Sequence, residues 1–247
     1  MNDNLIRGRV DYLQWESDFF SRPSAKLTLD LAENVLQRQD FNAFPLVQVK
    51  VQADQGETLD ALYSLGFRLV EGEIDFTLDL RDADVGVEGD AEGNTEGDAV
   101  DYALGTQADL AAVSQLAGGA FQLSRFRAPW YQRGDSGRFY SLWAEKAILG
   151  TFDTHCLTLK TQNGQLLGFV TLRPLEPGIA RIGLLAVQPQ ATGRGIGKQL
   201  VNAAKHWCIA QGVSQLKVAT QTGNIAALNL YRASGGTLSH SAFWLYR

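Results

Sequence analysis

The segment Gln190-Ala191-Thr192-Gly193-Arg194-Gly195-Ile196-Gly197-Lys198 follows a mostly apolar, β-rich run from Ala180 to Val187 and leads into a stretch with Leu200, Ala204, Trp207 and Cys208 on one helical face. Strand, glycine loop and helix in that order form a phosphate cradle. Glycines let the backbone approach a ligand closely, and unpaired amides at a helix N-terminus attract anions. Arg194 and Lys198 add positive charge. Three nucleotide motifs compete for such a loop, and spacing separates them. A Walker loop needs Gly where Thr192 stands and Ser or Thr where Gln199 stands. A dinucleotide fingerprint needs G-x-G-x-x-G, whereas Gly193, Gly195 and Gly197 run G-x-G-x-G. What remains is Gln190-x-x-Gly193-x-Gly195.

That pattern resembles the pyrophosphate-binding loop of the GNAT acyltransferase superfamily, with Leu184-Leu185-Ala186-Val187 at the position of its central strand. The resemblance implies acetyl-coenzyme A as co-substrate, with the pantetheine arm along Leu184 to Val187. Gln190, Gly193, Arg194, Gly195, Ile196, Gly197 and Lys198 would lie around the pyrophosphate. Some thirty residues on, Asn224-Ile225-Ala226-Ala227-Leu228-Asn229-Leu230-Tyr231 followed by Ser234-Gly235-Gly236 resembles the second signature of the superfamily. There Asn224 would contact the cofactor and Tyr231 would lie near its sulfur. A phenol stays protonated at neutral pH and can give a proton to a departing thiolate, so Tyr231 is the candidate general acid.

Outward from this core, Leu216 to Thr220 reads as a strand, Asn224 as the cap of a helix running to about Ala233, and Phe243 to Tyr246 as a final strand. Upstream, His155 to Thr161 and Leu166 to Leu172 read as an antiparallel pair joined through Asn163-Gly164. Helical spacing covers Gln107 to Phe121 and Gly137 to Leu149. Leu59 to Leu65 reads as a short helix stopped by Gly66, and Arg68 to Leu80 as a strand with Ile74, Phe76 and Leu78 alternating. Between them, residues 81–101 are rich in Gly and acid and lack aromatics, which suits a linker rather than a core.

More specific strings are Leu65-Gly66-Phe67 with Leu69-Val70-Glu71-Gly72-Glu73, Ser124-Arg125-Phe126-Arg127-Ala128-Pro129-Trp130-Tyr131, Ser136-Gly137-Arg138-Phe139-Tyr140 and the terminal Phe243-Trp244-Leu245-Tyr246-Arg247. They are similar to the nucleotide-sugar N-acetyltransferases that act on dTDP-4-amino-4,6-dideoxy-D-galactose in enterobacterial common antigen synthesis. That resemblance implies a smaller N-terminal α/β domain (1–80), a linker or insertion (81–101) and a GNAT domain (102–247) with a mixed central sheet flanked by helices, assembled as a homodimer. It also implies Glu71 as general base toward the sugar ammonium. Glu73, read as facing the other side of the strand, is the competing carboxylate. Arg125 and Arg127 suit a pyrophosphate grip, and Trp130, Tyr131, Phe139 or Tyr140 suit stacking on thymine.

Composition bounds the alternatives. The chain has 247 residues, 45% hydrophobic and 20% charged, with formal net charge −5, which argues against a nucleic-acid partner. Cys156, Cys208 and three scattered histidines give no metal-site spacing, so no metal is expected, and scarce cysteine suits a reducing compartment. No apolar run spans a bilayer, and a cytoplasmic location is expected. Two rival functions share the loop: a GNAT enzyme acting on a protein N-terminus, polyamine or aminoglycoside, and a non-catalytic acetyl-coenzyme A sensor.

Overall fold

The computed structural model describes residues 5–81 and 101–247. Most of the acidic 81–101 segment therefore lies outside the described residues, apart from Arg81 and the start of a strand at Asp101.

The strands are β1 (Gly8–Tyr12), β2 (Ser24–Leu29), β3 (Leu46–Gln52), β4 (Arg68–Asp79), β5 (Asp101–Leu104), β6 (His155–Lys160), β7 (Leu166–Glu176), β8 (Ile179–Val187), β9 (Gln215–Gln221) and β10 (Thr237–Tyr246). The helices are α1 (Gln14–Phe20), α2 (Gly56–Ser64), α3 (Leu110–Ala120), α4 (Asp135–Ile148), α5 (Ile196–Ala210) and α6 (Ile225–Ala233). The strands join in one sheet, ordered β1-β2-β3-β10-β4-β9-β8-β7-β6-β5. Pairs β2/β3 and β8/β9 are parallel and the others antiparallel. The mixed α/β architecture is thus the expected one. The last strand, β10, inserts between β3 and β4, so hydrogen bonding runs without a break from the first 80 residues into the rest.

Alternation of side chains decides what each face carries. On one face Phe76, Leu78, Ile182, Leu216 and Val218 pack with Leu200, Ala204 and Cys208 of α5 and Tyr231 of α6. Further along, Val47, Val49, Val51 and Leu245 pack against Leu62 of α2. The opposite face receives α1, α3 and α4, with Phe20, Val113, Leu116, Tyr140 and Ala144 against Phe169, Leu184, Ala186 and Tyr246. Gly66 (φ +98°) and Gly212 (φ +73°) stop α2 and α5 in the left-handed conformation that glycine adopts without strain. Asn224 caps α6, its side-chain oxygen accepting from the Ala227 amide at 3.2 Å.

Candidate functional site

Strands β8 and β9 pair only from Ile179↔Gln215 to Ile182↔Val218. Beyond that point Gly183–Val187 and Ala219–Gln221 stay bound to β7 and β4 respectively but not to each other, which leaves an open wedge in the sheet. The divergence has a local cause. Val170 faces Leu185 and Leu172 faces Ile182, so β8 holds one more residue than β7 in this interval, a β-bulge at Gly183 and Leu184. Ile182 therefore packs with α5, while Leu184 and Ala186 face α3 and α4.

The bulge is held by a buried carboxylate. Asp153, 1% exposed, accepts from Trp143 Nε1 at 2.7 Å and from Thr171 Oγ1 at 2.6 Å, and Thr171 Oγ1 accepts from the Leu184 amide at 2.8 Å. A Cβ on Gly183 would stand 1.9 Å from Asp153 Oδ2, so only glycine fits there.

At the wide end of the wedge lies the glycine loop. Gly193 (φ +80°) and Gly195 (φ +78°) take left-handed conformations, and α5 begins at Ile196 with no side-chain cap. Among the described residues, the amides of Gly193, Gly195, Ile196, Gly197 and Lys198 make no backbone hydrogen bond. These orphan donors, with exposed Arg194 and Lys198 beside them, fit a pyrophosphate. The unpaired edge of β8, Leu184 to Val187, fits the amides of a pantetheine arm. Gln190 and Arg194 also line a cavity of about 270 Å³ with Asn163 and Gln165 of the β6–β7 turn. Gly197 approaches Leu230 of α6, which brings the helix of Tyr231 against the start of α5. Tyr231 is 5% exposed and stacks obliquely on Phe76 at 5.9 Å. Burial pushes its phenol well above the ordinary value, so it is protonated across the physiological range.

On the α3/α4 face, β3, β10 and β4 present a polar cluster. Trp244 pairs across from Glu71, and its Nε1 donates to Glu73 Oε2 at 2.9 Å. Glu71 and Glu73, two residues apart, consequently share a face. This corrects the reading that put them on opposite sides. Partners distinguish them instead. Burial raises Glu73, but hydrogen bonds from Lys50 Nζ, at 2.5 Å, and from Trp244 outweigh it and hold the carboxyl below its usual range. Glu71 has the Arg125 backbone amide in place of such side-chain partners. Burial, only partly offset by Arg125 and reinforced by Glu73, pushes it from 4.5 up to about 7. A half-buried carboxyl poised there is suited to accept a proton at neutral pH.

Arg125 is committed to this cluster. Its guanidinium donates to Gln48 Oε1 and Tyr246 Oη, each at 2.5 Å, and lies 4.0 Å from the Trp244 ring centroid. Gln48 in turn donates to Glu16 at 2.9 Å. Arg127 donates to the Val70 and Ala128 carbonyls. Arg125 is thereby occupied, whereas Arg127 stays exposed. Tyr131 and Tyr140, at 5% and 8% exposure, pack in the aromatic core with Phe20, Phe126 and Phe121. Phe139 belongs to the same packed group. Trp130 is half-buried, edge-on to Tyr246 at 5.6 Å. Sequence reasoning missed Glu16, Gln48, Lys50 and Asp153. Alternation in Val47-Gln48-Val49-Lys50-Val51 carried a signal for the first strand pair, whereas nothing local marked Asp153.

Cys156 and Cys208 are buried free thiols. Among the described residues, no group of three or more His, Cys, Asp or Glu side chains gathers to hold a metal, and no helix is long and apolar enough to cross a membrane.

The Acetyltransferase (GNAT) family model matches residues 121–235. A GCN5-related N-acetyltransferase from Sphaerobacter thermophilus superposes with TM-score 0.62 at 14% identity, covering 96% of this chain and 75% of that one. A tandem GNAT protein from the clavulanic acid biosynthesis pathway gives 0.64 at 13%, covering 92% and 75%. The chain belongs to the GNAT acetyltransferase family and is an acetyl-coenzyme A-dependent N-acetyltransferase. Its likeness to one member runs nearly end to end: it is 41% identical over 242 residues to the dTDP-fucosamine acetyltransferase of Escherichia coli O6:H1, covering 98% of this chain and 99% of that protein.

Proposed function

We propose that this enzyme acetylates the 4-amino group of dTDP-4-amino-4,6-dideoxy-D-galactose, giving the 4-acetamido derivative for enterobacterial common antigen synthesis. The observation that carries the reading is the near end-to-end likeness to the Escherichia coli enzyme, which includes the acceptor-side strands as well as the cofactor loop. Acetyl-coenzyme A supplies an activated acyl carbon and a thiolate leaving group. Glu71, with its pKa near 7, takes a proton from the sugar ammonium directly or through water. The freed nitrogen attacks the thioester carbon, the C–N bond forms and the C–S bond breaks. Tyr231 gives its proton to the departing sulfur. Its phenol is raised by burial, and the same dry surroundings raise the departing thiolate's affinity for the proton. Asn224, the glycine loop and the β8 edge hold the co-substrate, and Trp130 offers the remaining aromatic face for the base.

Residues 1–80 contribute to the acceptor site and 102–247 form the acetyltransferase domain, on either side of the acidic segment. The enzyme works in the cytoplasm as a homodimer. Free-thiol release from acetyl-coenzyme A tests the reading with the nucleotide sugar, a polyamine, an aminoglycoside, a peptide N-terminus and no acceptor. Release with the nucleotide sugar supports it. Release only with another amine, or none despite cofactor binding, overturns it.

A further inference from the structure

With Arg125 held by Gln48 and Tyr246, the acceptor's diphosphate calls for further cations, and the α3/α4 face of the sheet offers them. Arg173 on β7 pairs across from Arg181 on β8, and Arg181 pairs with Lys217 on β9. Their strand neighbours Leu172, Ala180, Ile182, Leu216 and Val218 all pack with α5, so the three cations project together from the opposite face. All three are half-buried.

Three like charges abreast on adjacent strands repel one another, and among the described residues only Asp153 lies within ion-pair reach of the row. Arg181 and Lys217 make no hydrogen bond or ion pair with described residues. Arg173 Nε has Asp153 Oδ1 at 3.9 Å, an ion pair beyond hydrogen-bond reach, and is buried without a hydrogen-bond partner, while Trp143 and Thr171 hold the other oxygen of that carboxylate. Arg181 feels the charge of Glu73, which places the row on the same face as the carboxylate cluster.

The face is therefore bipolar. Lys217 sits opposite Thr77 on β4, four residues from Glu73, which is about 13 Å of strand. Glu71, Glu73 and Asp75 stand at one end with Lys50 among them, and the three cations stand at the other. A hexopyranose with a 4-ammonium and a 1-diphosphate has the same polarity, because C4 and C1 lie across the ring. We propose that Arg173, Arg181 and Lys217 form the diphosphate subsite of the acceptor, fixing the sugar so that its amine meets Glu71. The proposal rests on the nucleotide-sugar reading and supplies a specificity element to it.

The test is calorimetric binding of dTDP to the wild-type enzyme, Arg181→Gln, Lys217→Gln and the double variant, with acetyl-coenzyme A binding as the measure of an intact fold. Each single variant is expected to weaken dTDP about tenfold and the double about a hundredfold, with a shallower salt dependence. The preference for the nucleotide sugar over its phosphate-free methyl glycoside, in kcat/KM, falls in parallel. Undiminished dTDP affinity in the double variant, or no dTDP binding by the wild-type enzyme, overturns the subsite. A wild-type enzyme that binds dTDP through these residues yet acetylates a different amine overturns the proposed acceptor and leaves the subsite standing.

Discussion

Replacing Glu71 with Gln separates the role proposed for this carboxyl in catalysis from its structural cost. The rise from 4.5 to about 7 is caused first by burial, so the fold favours the protonated form. Below pH 4.5 the carboxyl is neutral in both folded and unfolded chains and contributes nothing to the pH dependence of stability. Between 4.5 and about 7 the unfolded chain releases its proton while the folded one retains it, and stability falls as pH rises. Above 7 the full cost, at most about 3 kcal/mol, is present. Glu71→Gln is isosteric and uncharged. It should gain up to that amount of stability at pH 8 and little at pH 4.5, as read from urea unfolding at the two values. In the same variant kcat/KM for the acceptor should fall about 100-fold or more and lose the wild-type rising limb, half-maximal near pH 7. Equal stability changes at the two pH values would refute the buried-carboxyl argument. Retention of both rate and acid limb would remove Glu71 as the base.

Tyr231→Phe should bind acetyl-coenzyme A with unchanged affinity, measured by calorimetry, and lose roughly 100-fold in kcat, since only the proton donor is gone. Gly183→Ala forces a Cβ into the buried Asp153 carboxylate. Urea unfolding should show a loss of about 3 kcal/mol or more. A stability change under 1 kcal/mol would contradict that packing. Gly193→Ala puts a side chain at φ +80° in open space, so the strain is conformational alone. It should cost about 1 kcal/mol and raise the KM for acetyl-coenzyme A while sparing the acceptor KM.

The cofactor half of the fold was legible because its signals are local. Strand Ala180–Val187, the glycine spacing, the α5 apolar face and the Asn224 cap all lie within a few residues of one another, and the observed elements begin and end close to those bounds. Residues before Leu59 yielded no elements, although Val47, Val49 and Val51 alternate with Gln48 and Lys50 on β3. Their burial depends on β10, some two hundred residues away. The acceptor cluster is hidden for the same reason. Glu73 differs from Glu71 through Lys50 and Trp244, and Arg125 is occupied by Gln48 and Tyr246, all partners distant in sequence. The cationic row was equally invisible, since only the register of β7, β8 and β9 makes neighbours of Arg173, Arg181 and Lys217. Two-residue spacing alone already places Glu71 and Glu73 on one face of a regular strand.

The central claim is that this enzyme forms an amide on the 4-amino group of the nucleotide sugar, and the product answers it most directly. The enzyme should be incubated with carbonyl-labelled acetyl-coenzyme A and dTDP-4-amino-4,6-dideoxy-D-galactose, beside the 4-amino glucose epimer, and the sugar product examined by NMR. The account predicts a single labelled acetamido group whose amide proton couples to H4 of the galactose ring, and little product from the epimer. An acetyl group on oxygen, equal turnover of the epimer, or a nucleotide sugar returned unlabelled would contradict it.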